Sequence, residues 1–471
     1  MSLTDTVHSD ISEENRLLIF FISTVAAIGG FLFGFDSGVI NGTVDGLSKS
    51  FTSSSTITGF NVASMLLGCA VGAYFGGRIA DQFGRKHVLF LTSVFFLVSA
   101  WGSGAAAFTS EFVLYRIIGG LAVGAASVIT PAYIAEISPV RLRGAFTSIQ
   151  QIAIILGLFC AFLSNYLLAS YAGDSTAILL AGYEAWRWMF WVEIVPALLF
   201  LILLFSIPES PRYLILNQRP QEAKRILTRL LGEHEASRVF DSILSSLTKE
   251  TQYLEQLTRF RAKKKSSSII WIGIGLAALQ QFIGINVIFY YGAILWQAVG
   301  FTENDALQIN LISGALSLIA CIITIKVVDR IGRKPLLLVG AFLMFMSLGM
   351  LVLAFANSLV LPTGSLELGS YGTLALVSAN LYVFVFNMTW GPVMWVMLGE
   401  MFPNQYRGKA LGLSGLSQWG ANFIVTMTFP LMLQYIGLTF TYSIYALFSL
   451  TAFFFVYLFV TETKGKELEM M

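Results

Sequence analysis

The sequence has 471 residues, of which 56% are hydrophobic and only 12% are charged. Soluble domains carry about 25% charged residues, so this composition excludes a chain that is surrounded by water over most of its surface. The formal net charge of +2 comes without a basic patch and gives no indication of a nucleic-acid partner. The cysteines Cys69, Cys160 and Cys321 lie in apolar runs and are interpreted as core residues, not as a disulfide framework or metal site.

Twelve apolar runs are long enough to cross a bilayer, which takes about 20 helical residues. Backbone polar groups in lipid must be paired within their own segment, so we expect helices, and the alternation of a membrane barrel is missing. The first 16 residues are polar and are not typical of a secretory signal, so the first run is retained as a span. The predicted spans are 17–42, 57–79, 88–107, 112–135, 146–168, 188–206, 269–298, 308–328, 335–356, 371–398, 409–432 and 437–460.

The N-terminus, the loops after the even-numbered spans and the C-terminal tail together hold 26 of the 29 lysine and arginine residues, twelve of them in one long loop. The loops on the other side hold only Lys49 and Arg187. Basic residues mark the cytoplasmic side, so we predict that both termini are cytoplasmic. The long polar loop has helical spacing of its leucines and isoleucines, which predicts short amphipathic helices under the membrane. The predicted divisions are a cytoplasmic N-terminus (1–16), a first six-helix bundle (17–206), a cytoplasmic helical linker (207–268), a second six-helix bundle (269–460) and a cytoplasmic tail (461–471).

The two halves of the sequence repeat each other at corresponding loops. Asp81, Gly84, Arg85 and Lys86 after span two align with Asp329, Gly332, Arg333 and Lys334 after span eight. Glu136, Pro139, Arg143 and Gly144 after span four align with Glu400, Pro403, Arg407 and Gly408 after span ten. A parallel repeat of six spans is the construction of one group of secondary transporters, which hold their substrate between the halves.

The repeated charges at the inner ends predict a cytoplasmic gate. We expect ion pairs that bridge the two halves and close the inner mouth in the outward-open state. The alternative is that these residues orient the chain during insertion and cap the loops. The gate residues predicted in this way are Asp81, Arg85, Glu136, Arg143, Asp329, Arg333, Glu400 and Arg407.

Few ionisable residues lie inside the spans away from the inner ends. Asp36 in span one and Arg116 in span four fall at similar depth in the outer half, so they are able to pair. An ionisable residue in a membrane is costly and is by default a functional hypothesis, here proton coupling, with a static salt bridge as the alternative. Glu193 near the start of span six is left open between a second coupling acid and an interfacial residue. All three histidines lie outside the spans and cannot relay a proton.

Amide side chains inside the spans indicate a neutral, hydroxyl-rich cargo. Amides both donate and accept hydrogen bonds, and aromatic planes match the apolar faces of a sugar ring. The intramembrane amides are Gln150, Gln151, Gln280, Gln281, Asn286, Asn387 and Gln418, with Trp390, Trp395 and Trp419 nearby. Gln281 and Asn286 are five residues apart, which is not a one-face spacing, but Gly284 permits a local distortion. The alternative is hydrogen bonding between helices.

The chain resembles the sugar porter family of the major facilitator superfamily over nearly its whole length. The resemblance rests on segments in the family's order, which include "GGFLFGFDSGVING", "PAYIAEISP", "PESPRYL", "QQFIGINVIFYYG", "WGPVMWVMLGEMFPNQYRGKALG" and "TETKGKELE". It implies an all-α membrane protein of two six-helix bundles that resembles the bacterial proton-coupled sugar symporters. In that comparison, an aspartate at position 36 is typical of symporters, whereas facilitators usually have asparagine.

The resemblance also implies the sugar-contacting positions. They are Gln151, Gln280, Gln281, Asn286, Trp390, Gln418 and Trp419, with Phe33, Tyr290 and Tyr291 lining the cavity. Leu158 and Ser317 depart from amides that relatives carry, which leaves the identity of the sugar open but not its class.

The sequence therefore predicts a monomeric carrier that imports a monosaccharide with a proton by alternating access. It lies in the cell membrane, or in the inner membrane of a Gram-negative bacterium. A proton-independent uniporter of the same fold is the first alternative, and a sugar sensor without transport is the second. No nucleotide-binding loop, metal-ligand cluster or nucleophile–base set is found, so neither a cofactor nor an enzymatic activity is expected.

Overall fold

The structure is a computed structural model, and it describes residues 13–139, 142–257, 267–360, 366–402 and 407–464. Helices account for nearly all of this part of the chain. The helices of the first half are α1 (Glu13–Ser50), α2 (Ser55–Phe83), α3 (Arg85–Ala105), α4 (Thr109–Ile137), α5 (Arg143–Ala172), α6 (Ala185–Trp191) and α7 (Ile194–Leu203). Three helices follow, α8 (Pro211–Leu216), α9 (Pro220–Leu231) and α10 (Glu233–Leu257). The second half contains α11 (Ser267–Phe282), α12 (Ile285–Ala298), α13 (Glu303–Ile331), α14 (Arg333–Ala356), α15 (Gly372–Met388), α16 (Trp390–Met401), α17 (Arg407–Tyr435) and α18 (Gly437–Phe459).

Eleven helical segments of the described chain are long and apolar enough to cross a membrane, and they coincide with eleven of the twelve predicted spans. The other predicted span, 409–432, lies within α17, which has 29 residues. This helix carries the amides Gln418 and Asn422, which lower its apolar character. It packs along α2 and α11. The sequence did not predict the two short antiparallel hairpins between spans, β1 (Ile178–Leu180) with β2 (Tyr183–Glu184) and β3 (Leu359–Val360) with β4 (Leu366–Glu367).

The helices form two bundles. In the first, α2 packs along α4 and α1 along α5, and in the second, α14 packs along α18 and α11 along α17. The bundles meet where α2 contacts α17, α5 contacts α13 and α1 contacts α12. We call the end of the bundles that carries α8–α10 the linker end, and the opposite end the far end. This is the two-bundle, twelve-span architecture that the sequence predicts.

Three spans are divided into two helices, and a local sequence feature explains each division. Span six breaks before Pro196, because proline cannot donate to the carbonyl of Val192 four residues earlier. Span seven breaks at Gly284, which has the left-handed φ of 88° that other residues avoid. Tyr382 Oη donates to the carbonyl oxygen of Ile283 at this break, at 2.7 Å.

Span ten breaks at Thr389, just before Pro392. Proline leaves the carbonyl of Met388 without its helical donor, and Thr324 Oγ1 replaces it at 2.8 Å. Broken helices are tolerated at membrane depth where neighbouring side chains satisfy the freed backbone groups. The breaks in spans seven and ten therefore bring backbone carbonyls and the side chains that bind them to the interior of the second bundle.

The bundles are joined by hydrogen bonds at the far end. Asn41 of α1, with 1% of its surface exposed, is the centre of this contact. Its Nδ2 donates to the carbonyl oxygens of Phe289 (2.9 Å) and Ile288 (3.3 Å). Its Oδ1 accepts from Asn310 Nδ2 (2.8 Å) and from the backbone N–H of Ala293 (3.2 Å). Three more pairs join the bundles at this end: Gln297 with Asp45, Ser170 with Asn304, and Ser175 with Glu303.

Replacing Asn41 with alanine is expected to open the far end, because four hydrogen bonds between the bundles are lost at once. Each is worth about 1 kcal/mol net, so the four together are enough to shift a two-state equilibrium more than tenfold. Spin labels at the exposed residues Tyr171 and Tyr435 would measure this as a new, longer distance across the far end. The control is Asn165→Ala, since Asn165 is equally buried but donates to Val39 of its own bundle. An unchanged distance distribution in Asn41→Ala would contradict the prediction.

Candidate functional site

A buried ion pair lies in the first bundle between α1 and α4. Arg116 Nη1 contacts Asp36 Oδ1, and each side chain is only 1% exposed. Arg116 Nη2 also donates to the Asp36 carbonyl oxygen (3.2 Å) and to Met65 Sδ (2.8 Å), and its guanidinium lies 5.6 Å from the centre of the Phe190 ring. Asp36 Oδ2 and Arg116 Nε have no hydrogen-bond partner among the described residues. The predicted proximity of Asp36 and Arg116 is confirmed. Asp36 Oδ2 and Arg116 Nε remain able to form a further hydrogen bond.

Glu193 lies beside this pair, at the break between α6 and α7. It is 1% exposed and so is shielded from lipid and water, and its interpretations as a coupling acid and as an interfacial residue both stay predictions. Neither of its carboxyl oxygens has a hydrogen-bond partner in the described part of the chain, although it interacts electrostatically with Asp36 and Arg116. Two acids and one base therefore share a site that excludes most water.

Four of the predicted amides form one connected chain in the second bundle. Gln280 Oε1 accepts from Gln418 Nε2 at 2.9 Å and from Gln281 Nε2 at 3.0 Å. Gln280 Nε2 donates to the carbonyl oxygen of Trp390 at 2.8 Å, and Asn286 Nδ2 contacts Gln281 Oε1. The break at Gly284 brings Gln281 and Asn286 together despite their five-residue spacing, as the sequence analysis expected.

The aromatic residues of the site fall into two groups. Phe33 of the first bundle and Trp419 of the second face each other across the bundle boundary, with ring centres 6.0 Å apart. Trp390 is fully buried, and its indole donates to the Leu337 carbonyl oxygen at 2.9 Å. The rings of Trp419 and Phe33 therefore lie between the bundles. Trp390 lies inside the second bundle, where its backbone carbonyl binds Gln280.

The remaining predicted positions differ in their surroundings. Gln151 is partly exposed on α5, and Tyr290 is 6% exposed on α12. Tyr291 is fully buried inside the second bundle, where its hydroxyl donates to the Thr426 carbonyl oxygen at 2.9 Å. The expectation that Tyr291 lines the cavity is therefore not supported by its side-chain environment.

Ion clusters at the linker end occupy equivalent places in the two bundles. In the first, Arg85 pairs with Asp81 at 2.9 Å and with Glu136 at 3.1 Å, and Ser210 contacts Glu136. Glu209 accepts from the backbone N–H groups of Arg85 (3.0 Å) and Lys86 (3.1 Å) at the start of α3.

The second bundle repeats this arrangement. Arg333 pairs with Asp329 at 2.8 Å and with Glu400 at 2.7 Å, and Thr463 donates to Glu400 at 2.6 Å. Glu462 accepts from the N–H groups of Arg333 and Lys334 at the start of α14, both at 3.0 Å. Gly84 and Gly332 precede the two helices with φ of 102° and 105°, and a Cβ there would collide with Glu209 or Glu462. Only glycine therefore fits these two turns.

Among the described residues, the gate charges pair within their own bundles in this conformation, and bridging in the outward-open state stays a prediction. Each described arginine, Arg85 and Arg333, is paired with acids of its own bundle. The side chains of Arg143 and Arg407 lie outside the described part of the structure.

Sequence reasoning missed several residues of these clusters. Ser210, Glu462 and Thr463 were not predicted, although "PES" after span six and "TET" after span twelve repeat the same Glu–hydroxyl pair. Asn41 was also missed, although it is an amide inside span one. The repeated Glu–hydroxyl pair and the intramembrane amide would have identified these residues from the sequence.

Replacing Glu462 with alanine is expected to destabilise the protein by about 1–2 kcal/mol, because the start of α14 loses its acceptor. Burial would raise the pKa of Glu462, but backbone N–H donors of Lys464, Arg333, Lys334 and Thr463 outweigh it and lower the pKa below its ordinary 4.5. A lowered pKa stabilises the fold above that ordinary value, and this contribution is lost as the pH falls further.

Thermal unfolding of the detergent-solubilised protein would measure this effect. The Tm difference between wild type and Glu462→Ala is expected at pH 7 and should shrink toward pH 4. The control is Glu222→Ala, since Glu222 forms an exposed surface pair with Arg219 that contributes little. A Tm difference that does not depend on pH would contradict the capping role.

The fold and the site together define a class of protein: a secondary transporter of two repeated six-helix bundles with polar residues at their boundary. The model of the family described as "Sugar (and other) transporter" matches residues 22–471, and the chain belongs to this family. The chain is 47% identical to the glucose transport protein of Synechocystis sp. over 462 residues, which cover 98% of each chain. It is 38% identical to the D-xylose-proton symporter of Escherichia coli K12, with 97% of this chain and 96% of that one covered.

Solved structures agree with this assignment. The inward open conformation of the xylose transporter XylE from E. coli superposes with a TM-score of 0.81 at 37% identity, covering 96% of this chain and 98% of that one. XylE bound to 6-bromo-6-deoxy-D-glucose gives a TM-score of 0.79, with 97% and 98% covered. The sugar porter resemblance is thereby confirmed.

Proposed function

We propose that the chain imports a monosaccharide together with a proton by alternating access. The observation that carries the proposal is the division of the site between the bundles: the Asp36–Arg116 pair lies in one and the chain of amides in the other. The relatives named as a glucose transport protein and a D-xylose-proton symporter support a monosaccharide as cargo. They do not distinguish between a pentose and a hexose.

In the proposed cycle, a proton on Asp36 releases Arg116, and the protonated carrier binds sugar at the amides. The bundles then exchange contacts between the far end and the linker end, so that sugar and proton leave inward. We expect the linker end in the cytoplasm, because the basic residues lie on that side. With the far end joined by hydrogen bonds, the conformation is then inward-facing. We propose Gln151, Gln280, Gln281, Asn286, Trp390, Gln418, Trp419, Phe33 and Tyr290 as the residues that form the sugar site.

The proposal extends to partners and location. We expect a monomer in the cell membrane, or in the inner membrane of a Gram-negative bacterium, with both termini cytoplasmic. The relatives are transporters, and we expect neither catalysis nor a cofactor. The alternative of a proton-independent uniporter would leave Asp36 and Arg116 as a static pair.

Uptake by reconstituted liposomes tests the function directly. Labelled glucose, xylose, galactose and inositol would be followed with and without an inward proton gradient. We expect at least one sugar to accumulate above its outside concentration only when the gradient is present. Uptake that equilibrates at the same rate with or without the gradient would establish a uniporter.

A further inference from the structure

Tyr290 has neighbours in both halves of the transport site. It lies one helical turn after Asn286, so both side chains project from the same face of α12. Asn286 belongs to the chain of amides, whereas Tyr290 reaches toward the first bundle. Because only 6% of its surface is exposed, its hydroxyl needs a hydrogen-bond partner inside the protein.

A narrow void lies at the contact between the bundles, and Tyr290 and Arg116 both line it. Ser37, the neighbour of Asp36, and Met65 lie on the same wall. Tyr290 is close enough to Arg116 to interact electrostatically, and its hydroxyl lies near Ser37 and Asn422. The other ionisable groups around the pair are Glu193 and Cys69, from the break in span six and from α2. The void therefore places Tyr290 of the second bundle opposite Arg116 of the first.

If Asp36 takes up a proton, Arg116 loses its charged partner and keeps only weaker acceptors, the Asp36 carbonyl oxygen and Met65 Sδ. A buried guanidinium without a partner is costly, and Arg116 Nε already has none among the described residues. The Tyr290 hydroxyl oxygen is able to accept a hydrogen bond, and it comes from the bundle that binds the sugar. The position of the Tyr290 hydroxyl depends on α12, and the same helix carries Asn286 of the amide chain.

We propose that Tyr290 couples proton binding to sugar binding. When protonated Asp36 releases Arg116, the Tyr290 hydroxyl oxygen accepts a hydrogen bond from the Arg116 guanidinium. Sugar bound at Asn286 holds α12 in the position where Tyr290 meets the guanidinium. The protonated pair in turn holds Tyr290 and favours the sugar-binding geometry of α12. Tyr290 is thus a positioning residue between the two ligands, and this inference rests on the proposed symport through Asp36.

Measuring sugar affinity as a function of pH tests the coupling, because linked ligands change each other's affinity by the same factor. The sugar that accumulates in the liposome assay would be titrated into purified protein at pH 6 and pH 8.5. We expect the wild-type Kd to be about tenfold lower at pH 6, within the usual range of coupling factors. In Tyr290→Phe, this ratio should fall below about twofold.

Tyr291→Phe is the matched control, because Tyr291 is the next residue and its hydroxyl is bound to Thr426 within the second bundle. It should keep the wild-type ratio. Tyr290→Gln restores an acceptor at the position and should recover part of the ratio. Sugar counterflow at fixed pH verifies that each variant is folded.

The possible outcomes separate the coupling role from the proposed function. If Tyr290→Phe weakens sugar binding equally at both pH values, Tyr290 is only a sugar contact and the coupling inference is overturned. The same conclusion follows if Tyr290→Phe keeps the wild-type ratio while Asp36→Asn loses it. If Asp36→Asn itself keeps the pH dependence of the Kd, the proposed symport through Asp36 is contradicted, and the coupling inference that rests on it falls with it.

Discussion

Replacing Asp36 with asparagine is expected to abolish sugar accumulation while leaving exchange of sugar across the membrane. Asparagine has nearly the shape of aspartate and can still accept a hydrogen bond from Arg116, but it cannot carry a proton. Gradient-driven accumulation should fall to the equilibrium level, a loss of at least about tenfold. Counterflow with sugar on both sides of the membrane should remain measurable, because it needs only the alternation of the loaded carrier.

The ion pair also bears on folding, so the stability of the variant has to be measured. Removing one partner of a buried pair costs about 3–5 kcal/mol where the other charge is left without compensation. Asparagine at position 36 keeps part of the hydrogen bonding, so a smaller loss of Tm is expected. A variant that keeps counterflow is folded, and its failure to accumulate sugar is then a loss of coupling.

Glu193→Gln is the companion variant, since Glu193 is an equally buried acid in the same site. Its carboxyl group has no hydrogen-bond partner in the described residues, so glutamine should replace it with little loss of contacts. We expect slower uptake with accumulation retained, as for a residue that modulates the pair. Accumulation that survives in Asp36→Asn but fails in Glu193→Gln would move the proton-carrying role to Glu193.

The sequence was sufficient for the features that depend on local composition or on the repeat. The spans follow from apolar runs, because lipid imposes the same requirement on each. The pairing of Asp36 with Arg116 follows from their depth, since two opposite charges inside a membrane have few other partners. The link between Gln281 and Asn286 follows from Gly284, whose backbone freedom the sequence reveals.

The contacts between bundles could not be predicted in the same way. Asn41 donates to backbone carbonyls of α12 in addition to its contact with Asn310, and no side-chain pattern in the sequence identifies a backbone acceptor. The repeat is compatible with more than one set of partners for Arg85 and Arg333, within a bundle or between bundles. The repeat predicted the charged residues of the clusters, but only the geometry assigns each arginine to its own bundle.

Gln280→Ala is expected to weaken sugar binding more than any other single amide replacement. Gln280 accepts from Gln281 and Gln418 and donates to the Trp390 backbone, so it fixes the orientation of the other amides. Alanine leaves these buried groups without partners, which costs about 1–3 kcal/mol for each unsatisfied group. We expect the Kd for sugar to rise about 30- to 100-fold, which corresponds to roughly 2–3 kcal/mol.

Asn387→Ala is the matched control for this variant. Asn387 is also a buried amide of the second bundle, but it donates to Ser317 Oγ at 3.1 Å and to the Val383 carbonyl oxygen at 2.9 Å. It should lower Tm and change the Kd by less than about threefold, because its partners lie outside the amide chain. If the two variants weaken sugar binding equally, the amides act only as hydrogen bonds between helices. If Gln280→Ala alone does so, the chain centred on Gln280 is the sugar site.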